Sequence, residues 1–279
     1  MIEESGKTSV KNESRFEGDA GRYAAYLETP EGRLRTELAF AHLREFLPAQ
    51  PGAQRLRALD LGCGTGAAGI GLARMGMQVT LLDASPAMLE LAERNADEAG
   101  VGEKIALQEG DAAQVERLFG AGAFDVVVCH NVLEFVEEPG EVLRNVARVM
   151  RDARAILSVV ARNQAGEAMK AALQAGDLAA AERSLNAESA RDTLYGGNVR
   201  LFTAESLEAL LKGAGLAIQT RRGVRVVADY LPAQISRAAE YERIFALERK
   251  LGERREFFWV ARYLQYLAGG AAAGAKGEG

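Results

Sequence analysis

Thiol and imidazole side chains are scarce in this chain: two cysteines and two histidines in 279 residues. Cys63 and Cys129 do not make a disulfide framework, which needs several paired cysteines. With only His42 and His130 beside them, cysteine and histidine cannot assemble a zinc cluster, so no metal is expected. No apolar run reaches the roughly 20 residues that span a bilayer, and no signal-peptide pattern follows Met1. No membrane partner is expected, and the free thiols suit a cytoplasmic protein. An excess of positive charge is also missing. The net charge of −5 excludes a global basic footprint for nucleic acid, although not a local patch.

What is present is a well-filled core composition, 48% hydrophobic and 26% charged. It suits one α/β domain with additions. The organising stretch is Arg57–Gly66, R-A-L-D-L-G-C-G-T-G. An apolar run carrying Asp60 breaks into Gly62, Gly64 and Gly66, then enters the helical stretch Ala67–Met75. Glycines at such a turn let the backbone approach a ligand, and the helix N-terminus offers unpaired N–H groups. Gly64, Gly66 and Gly69 also satisfy the dinucleotide pattern G-x-G-x-x-G, so the glycines alone do not choose a cofactor. Asp60 two residues ahead of the first glycine completes D-x-G-x-G-x-G. That pattern resembles the S-adenosylmethionine (SAM) loop of class I methyltransferases, in which a carboxylate serves an ammonium group rather than a pyrophosphate.

Strands and helices alternate from there. Gln78–Asp83, Lys104–Glu109, Phe124–His130 and Ala153–Val160 read as further strands, the fourth apolar throughout. Pro86–Gly100, capped by Ser85, and Pro139–Met150 read as helices. Two helical pieces broken near Pro30 precede the sheet, and Pro48–Gln54 reads as a linker. The alternation stops at Asn163, and residues 163–200 read as an inserted helical cap. After it come a helix at Ala204–Gly213 and strand material at Ala217–Val227 with a bulge at Gly223. An amphipathic helix at Ala233–Gly252 and a last strand at Arg262–Leu267 follow. Residues 1–20 read as a mobile N-terminus, 21–268 as one domain, and 269–279 as a flexible tail.

Two acidic positions and a histidine frame a nucleoside site. Asp83 ends the second strand, where a carboxylate can accept from both ribose hydroxyls, for NAD and SAM alike. Asp111 follows the third strand, either beside an adenine amino group or as a helix N-cap, with the small Ala112 and Ala113 next to it. His130 lies at the carboxyl end of the fourth strand, the edge where open α/β sheets bind ligands. It is placed to pack on the cofactor or approach the acceptor, and is the one candidate for a catalytic base. The amino-methylation motif N-P-P-[YF] and a Pro-Cys nucleophile are both missing.

Residues 55 to about 160 are similar to class I SAM-dependent methyltransferases. The resemblance implies a Rossmann-like α/β fold: a mostly parallel sheet with an antiparallel last strand, N-terminal helices and an inserted helical cap. A narrower resemblance rests on G-R-L-R (32–35), H-N-V-L-E-F-V (130–136), R-N-x-x-G-x-x-M (162–169) and G-V-R-V-V-A-D-Y-L (223–231). These look like the tRNA 5-carboxymethoxyuridine methyltransferase family, which esterifies the carboxylate of a wobble uridine. It implies SAM contacts from Arg35, Gly62, Cys63, Asp83, Ala112, Ala113 and His130, with Arg35 on the methionine carboxylate. The chain departs from that family in lacking a lysine-rich run in the cap.

A carboxylate acceptor is already anionic and needs no base, but it does need a cation to position it. Arg162, Arg200 and Arg225 are the candidates. Arg225 lies amid apolar residues and is open also to a structural ion pair with Asp229. Tyr195 and Tyr230 can stack on a base or fill the cap. The partner is thus a tRNA or a small-molecule carboxylate or amine. A nucleotide-binding dehydrogenase and a SAM-binding module without turnover are the competing readings.

Overall fold

The computed structural model describes residues 20–47, 56–192, 194 and 196–270. The expected mobile N-terminus up to residue 19, the linker, Tyr195 and the tail from residue 271 lie outside them. Helices α1 (Ala20–Glu28) and α2 (Pro30–Arg44) precede the sheet. Thr29 separates them: its Oγ1 accepts from Gly32 N, and Pro30 opens α2. Gly32 lets the two helices touch, since a Cβ there would lie 2.1 Å from Tyr26 O.

The alternation then runs β1 (Arg57–Leu61), α3 (Ala67–Arg74), β2 (Gln78–Asp83), α4 (Pro86–Glu98) and β3 (Ile105–Glu109). It continues with α5 (Val115–Phe119), β4 (Val126–His130), α6 (Pro139–Val149) and β5 (Ile156–Arg162). The cap holds α7 (Gln164–Met169), α8 (Leu178–Ser184), β6 (Ser189–Arg191) and β7 (Asn198–Arg200). The closing elements are α9 (Ala204–Gly213), β8 (Leu216–Val224), α10 (Tyr241–Gly252), α11 (Arg255–Phe258) and β9 (Tyr263–Gly270). One sheet has the order β3-β2-β1-β4-β5-β9-β8. The first five strands are parallel, and β9 is antiparallel to both its neighbours. This is the Rossmann-like sheet expected.

The core explains the strand sequences. Val126–Cys129 are fully buried because helices cover both faces of β4. Leu143 and Val146 of α6, with Leu207 and Leu211 of α9, belong to the apolar cluster on one side. Leu72 of α3 and Leu89 and Ala92 of α4 belong to that on the other. Each of these leucine and valine side chains contributes roughly 1.5–3 kcal/mol of burial. β1 and β4 are neighbours, and the chain leaves them toward opposite edges of the sheet. A crevice therefore opens at their carboxyl ends.

Four expectations need correction. The cap is only half helical: β6 and β7 form an antiparallel ribbon, Ser189 opposite Arg200. Buried Val199 and the bonds from Arg200 N to Glu134 O and Leu201 N to Glu188 O fix it, and the left-handed Gly196 and Gly197 lie in its turn. The bulge in β8 falls between Ile218 and Thr220 rather than at Gly223. Gly223 instead allows close packing, as a Cβ there would lie 2.9 Å from Ala261 Cβ. Helix α10 starts at Tyr241, not Ala233. The Arg237 guanidinium donates to Ala228 O and Leu231 O and holds the preceding segment in turns. At the other end, β9 runs on through Gly270.

Candidate active site

The glycine loop is shaped by backbone conformations that side chains oppose. Gly62, Gly64 and Gly66 have φ of 64°, 54° and 79°, all left-handed. A Cβ on Gly62 would also lie 2.5 Å from Val132 Cγ2. Gly66 is the N-cap of α3, which has no side-chain cap of its own. Asp60 supplies one from the strand: its Oδ2 accepts from Gly69 N at 2.8 Å. Asp60 also lines a lobe of the crevice with Cys63, Thr65 and Arg35.

Burial, reinforced by the nearby Asp83, raises the Asp60 carboxyl to about 7. Unfolded, it would ionise near 3.9. Between those values the folded state holds a proton that the unfolded state has lost, so stability falls as pH rises from about 4 to 7. Asp60→Asn keeps an oxygen for Gly69 N and has no proton to lose. Its stability relative to the parent should climb over that window, by at most about 4 kcal/mol, and then level off. Urea denaturation at several pH values reads this. A difference that does not vary with pH would contradict the buried carboxyl.

Asp83 ends β2 with both oxygens engaged by backbone: Oδ2 accepts from Gly64 N at 2.8 Å and Oδ1 from Ser85 N at 2.9 Å. Burial raises its carboxyl as well. Asp111 caps the short turn after β3, Oδ1 accepting from Ala113 N at 2.7 Å. Asp83, Asp111 and Ala112 line the crevice along with Ala84, Met88 and Gly110. Asp111 is thus both the cap of this turn and part of the crevice wall. Ala113 lies behind, its N–H taken by Asp111 and its carbonyl accepting from Asn145 Nδ2.

Arg35 reaches from α2 into both lobes of the crevice and is only 7% exposed. Its Nη2 donates to Tyr23 Oη at 2.9 Å, and its guanidinium lies over the Tyr23, Tyr26 and Tyr263 rings. No carboxylate among the described residues pairs with it. A buried cation in that state is costly and is suited to a ligand anion.

His130 closes the same corner. Burial and Arg35 together lower its imidazole to about 3, so it stands neutral. Its Nε2 lies 2.7 Å from Ser158 Oγ, and Ser158 begins a buried relay. Gln265 Nε2 donates to Ala39 O and to Ser158 Oγ, which turns its Oε1 toward His42 Nδ1 at 2.8 Å. Ser158 Oγ accepts from Gln265 and has its own proton free for His130 Nε2; assigned this way, the neutral ring carries its proton on Nδ1 and is a hydrogen-bond donor. Ser158→Ala should release that tautomer, visible in the ring ¹⁵N shifts, and weaken SAM binding about fivefold, or ~1 kcal/mol. Unchanged shifts and affinity would contradict the relay.

Beyond His130 the crevice continues past Asn131, Val132, Glu134, Phe135 and Val136 to Arg162, Asp192, Leu194 and Val199. Of the expected acceptor residues, Arg162 lines this end, its Nη2 3.0 Å from Asp192 Oδ2. Arg200 stands on the ribbon, its Nη2 donating to Glu137 O, beside an outer groove. Arg225 is placed elsewhere. It is buried against Asp229, with Nη1 donating to Tyr26 Oη at 2.9 Å, and does not line the crevice. An apolar neighbourhood forced its charge to find a partner, and Asp229, four residues along, supplies it. Tyr230 is also set back, its hydroxyl 3.5 Å from Gly166 O. Tyr23, Glu134, Ser158 and Gln265 take part without having been singled out. Only Glu134, inside a quoted motif, had a sequence signal.

The residues fit SAM on their own terms. Arg35 has no carboxylate partner among the described residues, the loop glycines keep side chains out, and Asp83 and Asp111 line the far part of the cavity. They would hold the methionine and nucleoside portions respectively. No group of three or more His, Cys, Asp or Glu side chains among the described residues is arranged to hold a metal. No helix there is long and apolar enough to cross a membrane.

Comparisons with known proteins bear on the family and the fold. Residues 59–156 match the family described as a methyltransferase domain. The chain is 30% identical over 247 residues to the tRNA 5-carboxymethoxyuridine methyltransferase of Escherichia coli K12, covering 86% of this chain and 89% of that protein. It is 41% identical over 95 residues to the ubiquinone biosynthesis O-methyltransferase of Caulobacter sp. K31, covering 34% and 36% of the two chains. Among solved structures, a SAM-dependent methyltransferase from Thermotoga maritima superposes with TM-score 0.60 at 15% identity, over 92% of this chain and 99% of that one. The geranyl diphosphate C-methyltransferase of Streptomyces coelicolor does so with TM-score 0.54 at 17% identity, over 85% and 79%. At those identities they speak for the fold alone.

Proposed function

We infer the reaction from the family to which the chain belongs: it is a class I SAM-dependent methyltransferase. We propose that it methylates a carboxylate oxygen, and that the acceptor is a 5-carboxymethoxyuridine-type wobble base of tRNA. The observation that carries this reading is the extent of the likeness. The tRNA-modifying relative is matched over 86% of the chain, whereas the ubiquinone O-methyltransferase is matched over only 34%. Such an acceptor would place the enzyme in the cytoplasm.

Bound SAM supplies a methyl group on a sulfonium, which an aligned nucleophile displaces in line. The protein then has to hold two partners in near-attack geometry, which can supply roughly 7–11 kcal/mol. Arg35 and the Nδ1–H of His130 would fix the methionine end, and Asp83 the ribose. Arg162, at the acceptor end, would orient the anionic oxygen. An ionised carboxylate needs no proton removed, in keeping with a His130 imidazole that titrates at about 3 and spends Nε2 on Ser158. An amine or phenol would need the base that His130 does not provide.

A second reading, a small-molecule carboxylate or amine acceptor under a lid, draws on the cap's charge. Residues 163–200 hold five acidic side chains against four basic ones. Phosphate contacts, which supply much of the affinity for RNA, would have to come from few cations there. Turnover on three acceptors in parallel separates the readings: an anticodon stem–loop carrying 5-carboxymethoxyuridine, the free nucleoside, and a panel of small acids and amines. The stem–loop should be methylated fastest. Faster turnover of a small acid would move the assignment to the second reading.

A further inference from the structure

Glu134 is held in a way that a purely structural carboxylate does not require. Its side chain is 6% exposed in the wall of the acceptor end. One oxygen, Oε1, accepts from Asn131 Nδ2 at 2.9 Å and from Arg162 N at 2.8 Å. The other, Oε2, is buried with no hydrogen-bond partner among the described residues. Asn131, whose amide steadies Oε1, has φ of 56°, a left-handed conformation that costs a non-glycine residue energy. The Glu134 carbonyl accepts from Arg200 N of the ribbon, so the residue stands where the cap meets the sheet. It also borders the outer groove under the cap, with Gln164, Arg200 and Phe202.

An asparagine or glutamine oxygen could serve Asn131 and Arg162 N as well as Oε1 does. The unpaired second oxygen is what distinguishes Glu134, and buried polar atoms ordinarily have partners. A donor arriving in the crevice would provide one. We propose that Glu134 Oε2 accepts an N–H or O–H of the methyl acceptor, and that for a uracil-type acceptor this is the imide N3–H. The proposal rests on the carboxylate-acceptor reading above and deepens it. Arg162 would address the carboxylate while Glu134, joined to it through Arg162 N, would read the ring. Glu134 is then a specificity residue that ties acceptor choice to cap position.

The test uses the full chain with S-adenosylhomocysteine bound, and calorimetry with three probes: 5-carboxymethoxyuridine, its N3-methyl derivative, and methoxyacetate. The parent should bind the first at least about tenfold more tightly than the other two. Glu134→Gln should keep its SAM affinity, because the amide oxygen still accepts from Asn131 and Arg162 N, and should lose the discrimination. The N3-methyl comparison needs no variant and stands even if Glu134→Gln misfolds. Equal binding of the N3-methyl probe by the parent would overturn the contact. Lower kcat with unchanged KM in Glu134→Gln would make Glu134 a base and also overturn it. If the discrimination is found but the nucleoside receives no methyl group once SAM replaces S-adenosylhomocysteine, the carboxylate reading falls and the Glu134 contact stands. If neither uridine nor methoxyacetate binds, both fall.

Discussion

Arg35→Met should raise the SAM dissociation constant about 30-fold or more, while the cofactor-free protein stays as stable as its parent or gains. The two halves of this result share one cause. Arg35 is buried among three tyrosines without a carboxylate among the described residues. Methionine has a similar reach and no charge to desolvate, so the free protein loses one phenol hydrogen bond and is relieved of an unpaired cation. The ligand loses a buried charge-assisted pair, commonly worth 2–5 kcal/mol. Calorimetry and thermal denaturation read the halves separately. A variant that binds SAM normally but melts much lower would make Arg35 a packing residue and remove the anion site.

Glu248→Ala should be the most destabilising of the substitutions considered, on the order of 4 kcal/mol, or roughly 10 °C in Tm. Glu248 is fully buried on α10. Its carboxylate accepts three consecutive backbone N–H groups: Val226 at 2.6 Å, Val227 at 2.9 Å and Ala228 at 2.6 Å. Alanine would orphan all three at once, in the segment that also carries Arg225 and Asp229. Burial raises the Glu248 carboxyl, and the three N–H groups pull back toward ionisation. Glu248→Gln keeps one acceptor oxygen and should cost less than alanine. Equal melting of parent and Glu248→Ala would contradict the anchoring role, as would unchanged amide exchange at residues 226–228.

The sheet was readable because the inner parallel strands between Arg57 and Arg162 are short, largely apolar runs bounded by turn residues, a signal local to the strand; edge strand β3, Ile-Ala-Leu-Gln-Glu, follows from the alternation. The glycine loop was readable for the same reason: its constraint, a left-handed backbone, acts residue by residue. Glu248 was not. In Y-E-R-I-F-A-L-E-R-K-L-G it looks like one more solvent-facing charge, and only the approach of the segment after β8 buries it. The ribbon β6–β7 was missed because Ser189-Ala190-Arg191 has no strand propensity. Its pairing is imposed by bonds from Leu201 N to Glu188 O and from Arg200 N to Glu134 O. Arg225 exposes the limit from the other side. Its apolar neighbours announced a buried charge, but only the fold decides whether a ligand or Asp229 answers it. Ser158 and Gln265 carry no motif at all. They meet because β5 and β9 pair antiparallel, with Ser158 opposite Leu267 and Gln265 opposite Val160.

The central claim is that this methyltransferase makes a methyl ester on tRNA. The direct measurement takes purified protein, methyl-labelled SAM and total tRNA from cells lacking wobble-uridine esterification, and follows label into tRNA and then out of it under mild alkali. Label that enters and is released by alkali is the predicted result, because esters hydrolyse there and N-methyl or C-methyl groups do not. Alkali-stable label, or none in a preparation shown to bind SAM, would contradict the claim.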